Sequence, residues 1–274
     1  MAIVLITGSS SGFGKLTALE FARHGHVVFA SMRDPEKAGP LITEAASAGL
    51  ALEVLRLDVT DRASVDAAVA TVIERTGRLD VVVNNAGIFN VGPVEAHEDD
   101  EVAAAFDTNV FGVIRVIRAA LPPMRAQRRG TIVVVGSIAG RVPWPPVGVY
   151  AATKGALEAL CDTLHYELHP FGIRVVLLEP GHFATGLRAR LARGVARDSP
   201  YRATAKAFAA FPLAGRIPGD PQRVAEVVVA AAEADAPRRR YVVGEDAEHW
   251  CGLHARLPED EFERIVRSTL DFWE

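Results

Sequence analysis

Ala2-Ile3-Val4-Leu5-Ile6-Thr7 followed by Gly8-Ser9-Ser10-Ser11-Gly12-Phe13-Gly14 joins an apolar run to a glycine-rich turn. A short, near-continuous apolar run bounded by turn residues reads as a strand covered on both faces. Leu16, Leu19, Phe21 and Ala22 then form an apolar stripe across Phe13–His24, and Gly25 supplies a stop. Glycine between such a strand and helix lets the backbone bend sharply and approach a pyrophosphate, whose charge meets the free N–H groups of the helix N-terminus. The spacing is glycine-x-x-x-glycine-x-glycine, distinct from G-x-G-x-x-G. Plain turn glycines are the alternative; placement in the first strand–helix unit favours the nucleotide.

The same alternation continues along the chain. Apolar runs at His26–Ser31, Ala51–Leu57, Leu79–Asn84, Thr131–Gly136 and Ile173–Glu179 read as strands, with a weaker seventh at Tyr241–Val243. Helices are expected over Arg62–Thr76, with Asp61 as N-cap and Gly77 just past its end, over Glu101–Met124, halted near Pro122-Pro123, and over Val149–His169. Asp220-Pro221 opens another through Ala232, and a last one covers Glu259–Leu270. The expected fold class is α/β, a doubly wound parallel sheet flanked by helices in one domain over residues 1–274. Residues 181–219 depart from the alternation and read as a helical substrate flap inside that domain.

Of the 274 residues, 49% are hydrophobic and 23% charged, and 30 Lys+Arg against 34 Asp+Glu give a net charge of −4. That balance excludes a broad basic surface for nucleic acid, and the apolar content excludes disorder. Cys161 and Cys251 are the two cysteines, expected as reduced thiols. The apolar start is too short for a signal-peptide core, and no run reaches the roughly 18–20 apolar residues of a membrane span. A cytoplasmic protein without membrane or nucleic-acid partners is expected. His24/His26, His165/His169 and His249/His254 lack further ligands at metal spacing, so no metal is expected. Arg238-Arg239-Arg240 reads as a solvated turn.

Where the second strand ends, Ala30-Ser31-Met32-Arg33-Asp34, an NAD-selective dinucleotide site carries a carboxylate for the ribose 2′-hydroxyl. Met32 at that place puts Arg33 next, a guanidinium suited to a 2′-phosphate. NADP(H) is therefore preferred, with NAD(H) possible in a register one residue later, where Asp34 meets the sugar. Asp58 and Val59, closing the third strand, are assigned to the adenine end.

Tyr150 and Lys154 lie four apart at the start of a long helix and share a face. An ammonium 4 Å from the phenol oxygen, at an effective dielectric near 20, favours the phenolate by about 4 kcal/mol. This would lower a tyrosine pKa by roughly three, to near neutrality.

With the Thr7–Gly14 turn, Asp58, Asn84-Asn85-Ala86-Gly87, Asn109, Ser137, Tyr150-x-x-x-Lys154 and Pro180-Gly181 with Thr185 in this order, the chain resembles the compact, single-domain branch of the short-chain dehydrogenase/reductase family. Ala30–Asp34 is also similar to its hydroxysteroid and retinol dehydrogenase branch. The resemblance implies a seven-stranded Rossmann sheet, a nicotinamide cofactor, and hydride exchange with a carbonyl or alcohol. Tyr150 is then the general acid of reduction, Ser137 the donor to the same oxygen, and Lys154 the group that tunes Tyr150 and holds the nicotinamide ribose. Asn109 belongs to a proton relay through Lys154, or is a satisfied structural amide. Gly8, Ser10, Ser11, Gly12, Phe13, Gly14, Asn85, Ala86, Gly87, Pro180, Gly181 and Phe183 are expected to line the cofactor. Thr185 either bonds the carboxamide or caps a local helix. Long helices at Glu101–Met124 and Val149–His169 match the family's dimer-forming pair, implying a homodimer or homotetramer.

The segment between Ser137 and Tyr150 must pass the reacting carbon. Val142, Trp144 and Val147, stiffened by three prolines, are expected to wall a hydrophobic carbonyl or alcohol pocket, with Phe183 and Leu187 covering it; Trp144 at an oligomer interface is the alternative. Two rival functions stand beside the oxidoreductase: a redox-sensing regulator that binds NADP without chemistry, and a dehydratase or epimerase on the same scaffold.

Overall fold

The computed structural model describes residues 1–183, 200–204 and 219–270. Seven strands form one parallel sheet: β1 (Ile3–Ile6), β2 (Val27–Met32), β3 (Glu53–Arg56), β4 (Val81–Asn84), β5 (Gly130–Val135), β6 (Ile173–Pro180) and β7 (Arg240–Val243). Their order is β3-β2-β1-β4-β5-β6-β7. The order reverses between β1 and β4, where Val4 pairs with Val28 on one side and Val81 on the other. In such sheets the crevice beyond the strand ends at this reversal is the ligand site.

Nine helices pack around the sheet among the described residues: α1 (Gly12–Arg23), α2 (Gly39–Ser47), α3 (Arg62–Thr76), α4 (Asp99–Phe106), α5 (Gly112–Gln127), α6 (Gly148–Leu168), α7 (Gln222–Glu233), α8 (Glu245–Arg256) and α9 (Glu259–Leu270). Alternate residues of each strand serve opposite faces. Ile3 and Leu5 pack with Val65, Val116 and Leu157 of α3, α5 and α6, whereas Val4 and Ile6 pack with Leu19, Leu41 and Val228 of α1, α2 and α7. Covering both faces explains why the five inner strands read as near-continuous apolar runs; β3 and β7, at the edges, are more exposed. Asp61 caps α3 by accepting from the Ala63 amide at 2.9 Å, and Gly77 closes it in the left-handed region at φ 72°.

Three expectations are corrected. The single helix over Glu101–Met124 is α4 and α5 joined by a π-helical turn at Asp107–Phe111, and α5 runs through Pro122 and Pro123 to Gln127. Pro122 lies on the exposed face of α5 and Pro123 is partly buried, while buried Met124 keeps the helix seated. Helices α2 and α8 were not anticipated. Arg240 is no solvated turn residue: it lies in β7 and binds Glu158 and Asp162 of α6. Beyond its end residues, the flap expected over 181–219 lies outside the described residues, apart from 200–204; Thr185 and Leu187 do too.

Candidate active site

A cleft of about 650 Å³ opens at the strand reversal, a size typical of ligand sites. Gly8, Ser10, Ser11, Gly12 and Phe13 form one wall, Asn85, Ala86 and Gly87 the next, and Tyr150 and Lys154 the far end. Arg33, Asp58 and Val59 line it where β2 and β3 end.

The glycine turn has the shape of a pyrophosphate cradle. At Gly8 (φ 72°) a Cβ would stand 2.8 Å from Ala86 Cα, and at Gly14, buried behind the turn, 2.3 Å from the Gly8 carbonyl oxygen. Gly12 (φ 57°) faces open space. Ser11, the N-cap of α1, makes no side-chain capping bond, so the first amides of α1 keep their donors for an anion. Asn85 staples this turn to the end of β4: its Nδ2 donates to the carbonyls of Thr7 and Gly8 at 2.9 and 3.0 Å. The Thr7 hydroxyl in turn accepts from the amides of Asn85 and Ala86. The residues present thus fit a dinucleotide.

At the other end of the cleft Asp58 Oδ1 accepts from the hydroxyl and amide of Thr60. Burial alone would raise this carboxyl, but the Thr60 bonds and the Arg33 guanidinium hold it below the usual range. Lys37 joins Arg33 on this rim. Asp34 is not among the residues that line the cleft: it caps the turn at Pro35–Ala38 by accepting from the Glu36 amide and pairs with Lys37 at 3.4 Å.

Ser137 and Tyr150 meet. Ser137 Oγ accepts from the Ala139 amide at 3.2 Å, which leaves its own proton for the Tyr150 hydroxyl. Lys154, buried on the next turn of α6, donates to the Val135 carbonyl at 2.9 Å and stands 5.6 Å from the Tyr150 ring centroid. The expected acidification of Tyr150 is corrected by this arrangement. Burial pushes the phenol up to about 12, against the pull of the Ser137 bond, and lowers Lys154 to about 8. The ammonium is committed to a backbone carbonyl beside the ring, and desolvation sets the direction of the phenol's shift.

Asn109 projects from the π-helical turn, 1% exposed. Its Oδ1 accepts from the Ile88 amide at 2.8 Å, and its Nδ2 donates to the Ile88 carbonyl and to Thr153 Oγ1 at 2.9 and 3.1 Å. The amide thus ties the loop after β4 to α6, and the structure gives it no bond to Lys154.

Val142, Trp144 and Val147 are corrected as pocket wall. All three are buried in a third core, where Trp144 packs edge-to-face on Trp250 of α8 at 4.6 Å. The aromatic surface beside Tyr150 is instead Phe89, edge-on at 4.6 Å. Pro180, Gly181 and Phe183 are not among the residues that line the cleft: a Cβ on Gly181 would collide with the Asp246 carboxylate, and Phe183 packs edge-on against Phe13 at 5.6 Å. Phe89, Ile88, Thr108 and Lys37, all lining the cleft, went unnoticed in the sequence. Adjacency to Asn84–Gly87 was the available signal for the first two.

Residues 2–196 match the sequence profile of the family described as short chain dehydrogenase. The 3-ketodihydrosphingosine reductase of Bacteroides thetaiotaomicron is 42% identical over 185 residues, 67% of this chain and 65% of that protein's length. Mouse 17-beta-hydroxysteroid dehydrogenase type 1 is 39% identical over 251 residues, 87% of this chain and 72% of its own. The crystal structure of a short-chain dehydrogenase from Streptomyces avermitilis superposes with a TM-score of 0.78 at 33% identity, covering 98% of each chain. A glycine cradle at the strand reversal and a serine–tyrosine–lysine cluster at the cleft's end accord with these likenesses: the chain belongs to the short-chain dehydrogenase family, NAD(P)-dependent oxidoreductases of CH–OH and C=O groups.

Proposed function

We propose that the protein is an NADP(H)-dependent oxidoreductase interconverting a hydrophobic carbonyl compound and its secondary alcohol, with Tyr150 as general acid–base. The observation that carries this reading is the Ser137–Tyr150 hydroxyl pair at the end of the glycine-lined cleft. Reducing a carbonyl adds a hydride at carbon and a proton at oxygen, and the bound dinucleotide supplies the hydride. Tyr150 keeps its proton at neutral pH, the form that donates to the carbonyl oxygen. Ser137 donates to the same oxygen and stabilises its growing charge. Lys154 spends one of its three donors on Val135 and keeps the others for the nicotinamide ribose. Asn109 acts through position, holding Ile88 and with it the Phe89 side of the cleft.

NADP(H) over NAD(H) is supported by two cations, Arg33 and Lys37, on the rim where a 2′-phosphate would lie, and by the commitment of Asp34 to the Glu36 amide and to Lys37. An apolar substrate is supported by Ile88 and Phe89 beside Tyr150, and by relatives named for a ketodihydrosphingosine and a hydroxysteroid. The reading includes a cytoplasmic homodimer or homotetramer. Phe111, half exposed before α5, is a side chain such an interface would cover, and sedimentation as a monomer at micromolar concentration would remove that part. Among the described residues no helix is long and apolar enough to cross a membrane.

The test is a panel of cyclic and aromatic ketones with NADPH, followed at the reduced-nicotinamide absorbance. Turnover with stoichiometric cofactor oxidation, lost in Tyr150→Phe, is expected. Binding without turnover would favour a regulator, and turnover without net oxidation a dehydratase or epimerase.

A further inference from the structure

Behind the Tyr150 helix lies a second set of ionisable side chains that hydride exchange leaves unused. Glu179 of β6 is fully buried, and both its oxygens accept from Arg141 Nη1, at 3.4 and 3.2 Å. Glu158, one turn beyond Lys154 on α6, accepts at Oε2 from Arg240 Nε and Nη2 at 3.0 and 2.9 Å. Arg240 also donates to both oxygens of Asp162 at 2.8 Å.

Glu158 Oε1 is buried and no donor serves it, yet the Glu179 carboxyl stands within hydrogen-bonding reach of Glu158. Two carboxylates so placed repel unless one of them carries a proton. A proton on Glu158 Oε1, donated to Glu179, satisfies both groups at once. It also leaves two cations, Arg141 and Arg240, facing two anions, Glu179 and Asp162. Burial first, and the Glu179 charge second, raise the Glu158 carboxyl to about 7. Other groups facing this site are Cys161 on α6 and, from α8, Cys251 and Asp246.

The elements joined here carry the reacting hydroxyls. Arg141 ends the turn that Ser137 opens, and Gly140 between them lies so close to α6 that a Cβ would stand 2.9 Å from the Lys154 carbonyl. We propose that Arg141, Glu179 and Glu158, with one proton shared between the two carboxyls, are positioning residues: a buried clamp that holds the Ser137 turn within reach of the Tyr150 hydroxyl. Its positioning role rests on the oxidoreductase reading above; the shared proton does not.

The proton is read without turnover. Infrared difference spectra of the full chain should show a protonated-carboxyl band that fades as pH rises through neutrality and is absent in Glu158→Gln. No such band, or one that survives the substitution, overturns the shared proton. Positioning is read with NADPH and the ketones of the panel. Arg141→Met and Glu158→Ala should lower kcat about 10- to 100-fold, the range a misplaced reacting group costs, at unchanged NADPH affinity. Glu158→Gln, which keeps a neutral donor toward Glu179, should recover most of the Glu158→Ala loss and remove the change in kcat that accompanies the band. Should the alanine variant fail to fold, the glutamine pH profile decides alone: a profile unchanged from wild type overturns the role. If these variants match wild type while Tyr150→Phe is inactive, the clamp fails and the oxidoreductase reading stands. If wild type reduces no ketone, the positioning role falls with that reading, and the band still decides the proton.

Discussion

Lys154 donates from Nζ to the carbonyl oxygen of Val135 at 2.9 Å, tying the start of α6 to the last residue of β5. The bond holds the ammonium beside the Tyr150 ring, where burial costs it affinity for its proton. Lys154→Met removes a costly buried charge but leaves the Val135 carbonyl without its donor. These effects oppose, so stability in urea should change by no more than about 1–2 kcal/mol. The kcat should nevertheless fall by 100-fold or more, on the order of a lost acid–base partner. Equal losses of folding and rate would show a structural lysine.

Cofactor choice turns on Arg33. A charge-assisted bond to a 2′-phosphate is worth about 1.5–3 kcal/mol, or roughly 10- to 100-fold in affinity. Fluorescence titration of Arg33→Ala should show that loss for NADPH and little change for NADH, with a smaller effect for Lys37→Ala. Equal weakening of both cofactors would place Arg33 away from the phosphate.

Asn109→Leu keeps the branching of the side chain and deletes its bonds to Ile88 and Thr153. Each buried backbone group left without a partner costs about 1–3 kcal/mol, so denaturation should show a loss of at least 2 kcal/mol. Activity should fall along with order in the Ile88–Phe89 segment. A variant as stable as wild type would mean that water replaces the amide.

β1, β2, β4, β5 and β6 were legible because a strand buried on both faces leaves a near-continuous apolar run, as in Val4–Ile6 and Ile132–Val135, whereas the edge strands β3 and β7, more exposed, showed only short apolar stretches. The glycine turn and the Ser137, Tyr150 and Lys154 cluster were legible from residue type and order. Helix α2 was hidden because Pro35 and Pro40 interrupt a helical pattern, and α8 by its polar sequence, with only Ala247, Trp250 and Cys251 buried among its apolar residues. Missing α8 had a consequence: Val142 and Trp144, whose partner it is, were left to face a substrate. The Tyr150 expectation failed for another reason. Helical spacing fixes which face two residues share, not how deeply each is buried or which carbonyl lies nearer.

Stability should also carry the mark of Glu158. Its carboxyl holds its proton more tightly in the folded chain than the ordinary 4.5, up to about 7. Between those values the folded state binds more protons than the unfolded, so stability falls as pH rises across that window and levels off above it. The slope is at most about 1.4 kcal/mol per pH unit. Denaturant titrations at pH 5 and 7.5 should show wild type losing about 1–3 kcal/mol relative to Glu158→Gln. Parallel behaviour of the two proteins would remove the shared proton.

The most direct measurement is the rate of NADPH oxidation by the ketone panel in wild type and Tyr150→Phe, with NADPH affinity measured alongside. The phenol's proton predicts a fall in kcat of about 10²- to 10⁴-fold at unchanged affinity. A phenylalanine variant that turns over ketone as fast as wild type would contradict it.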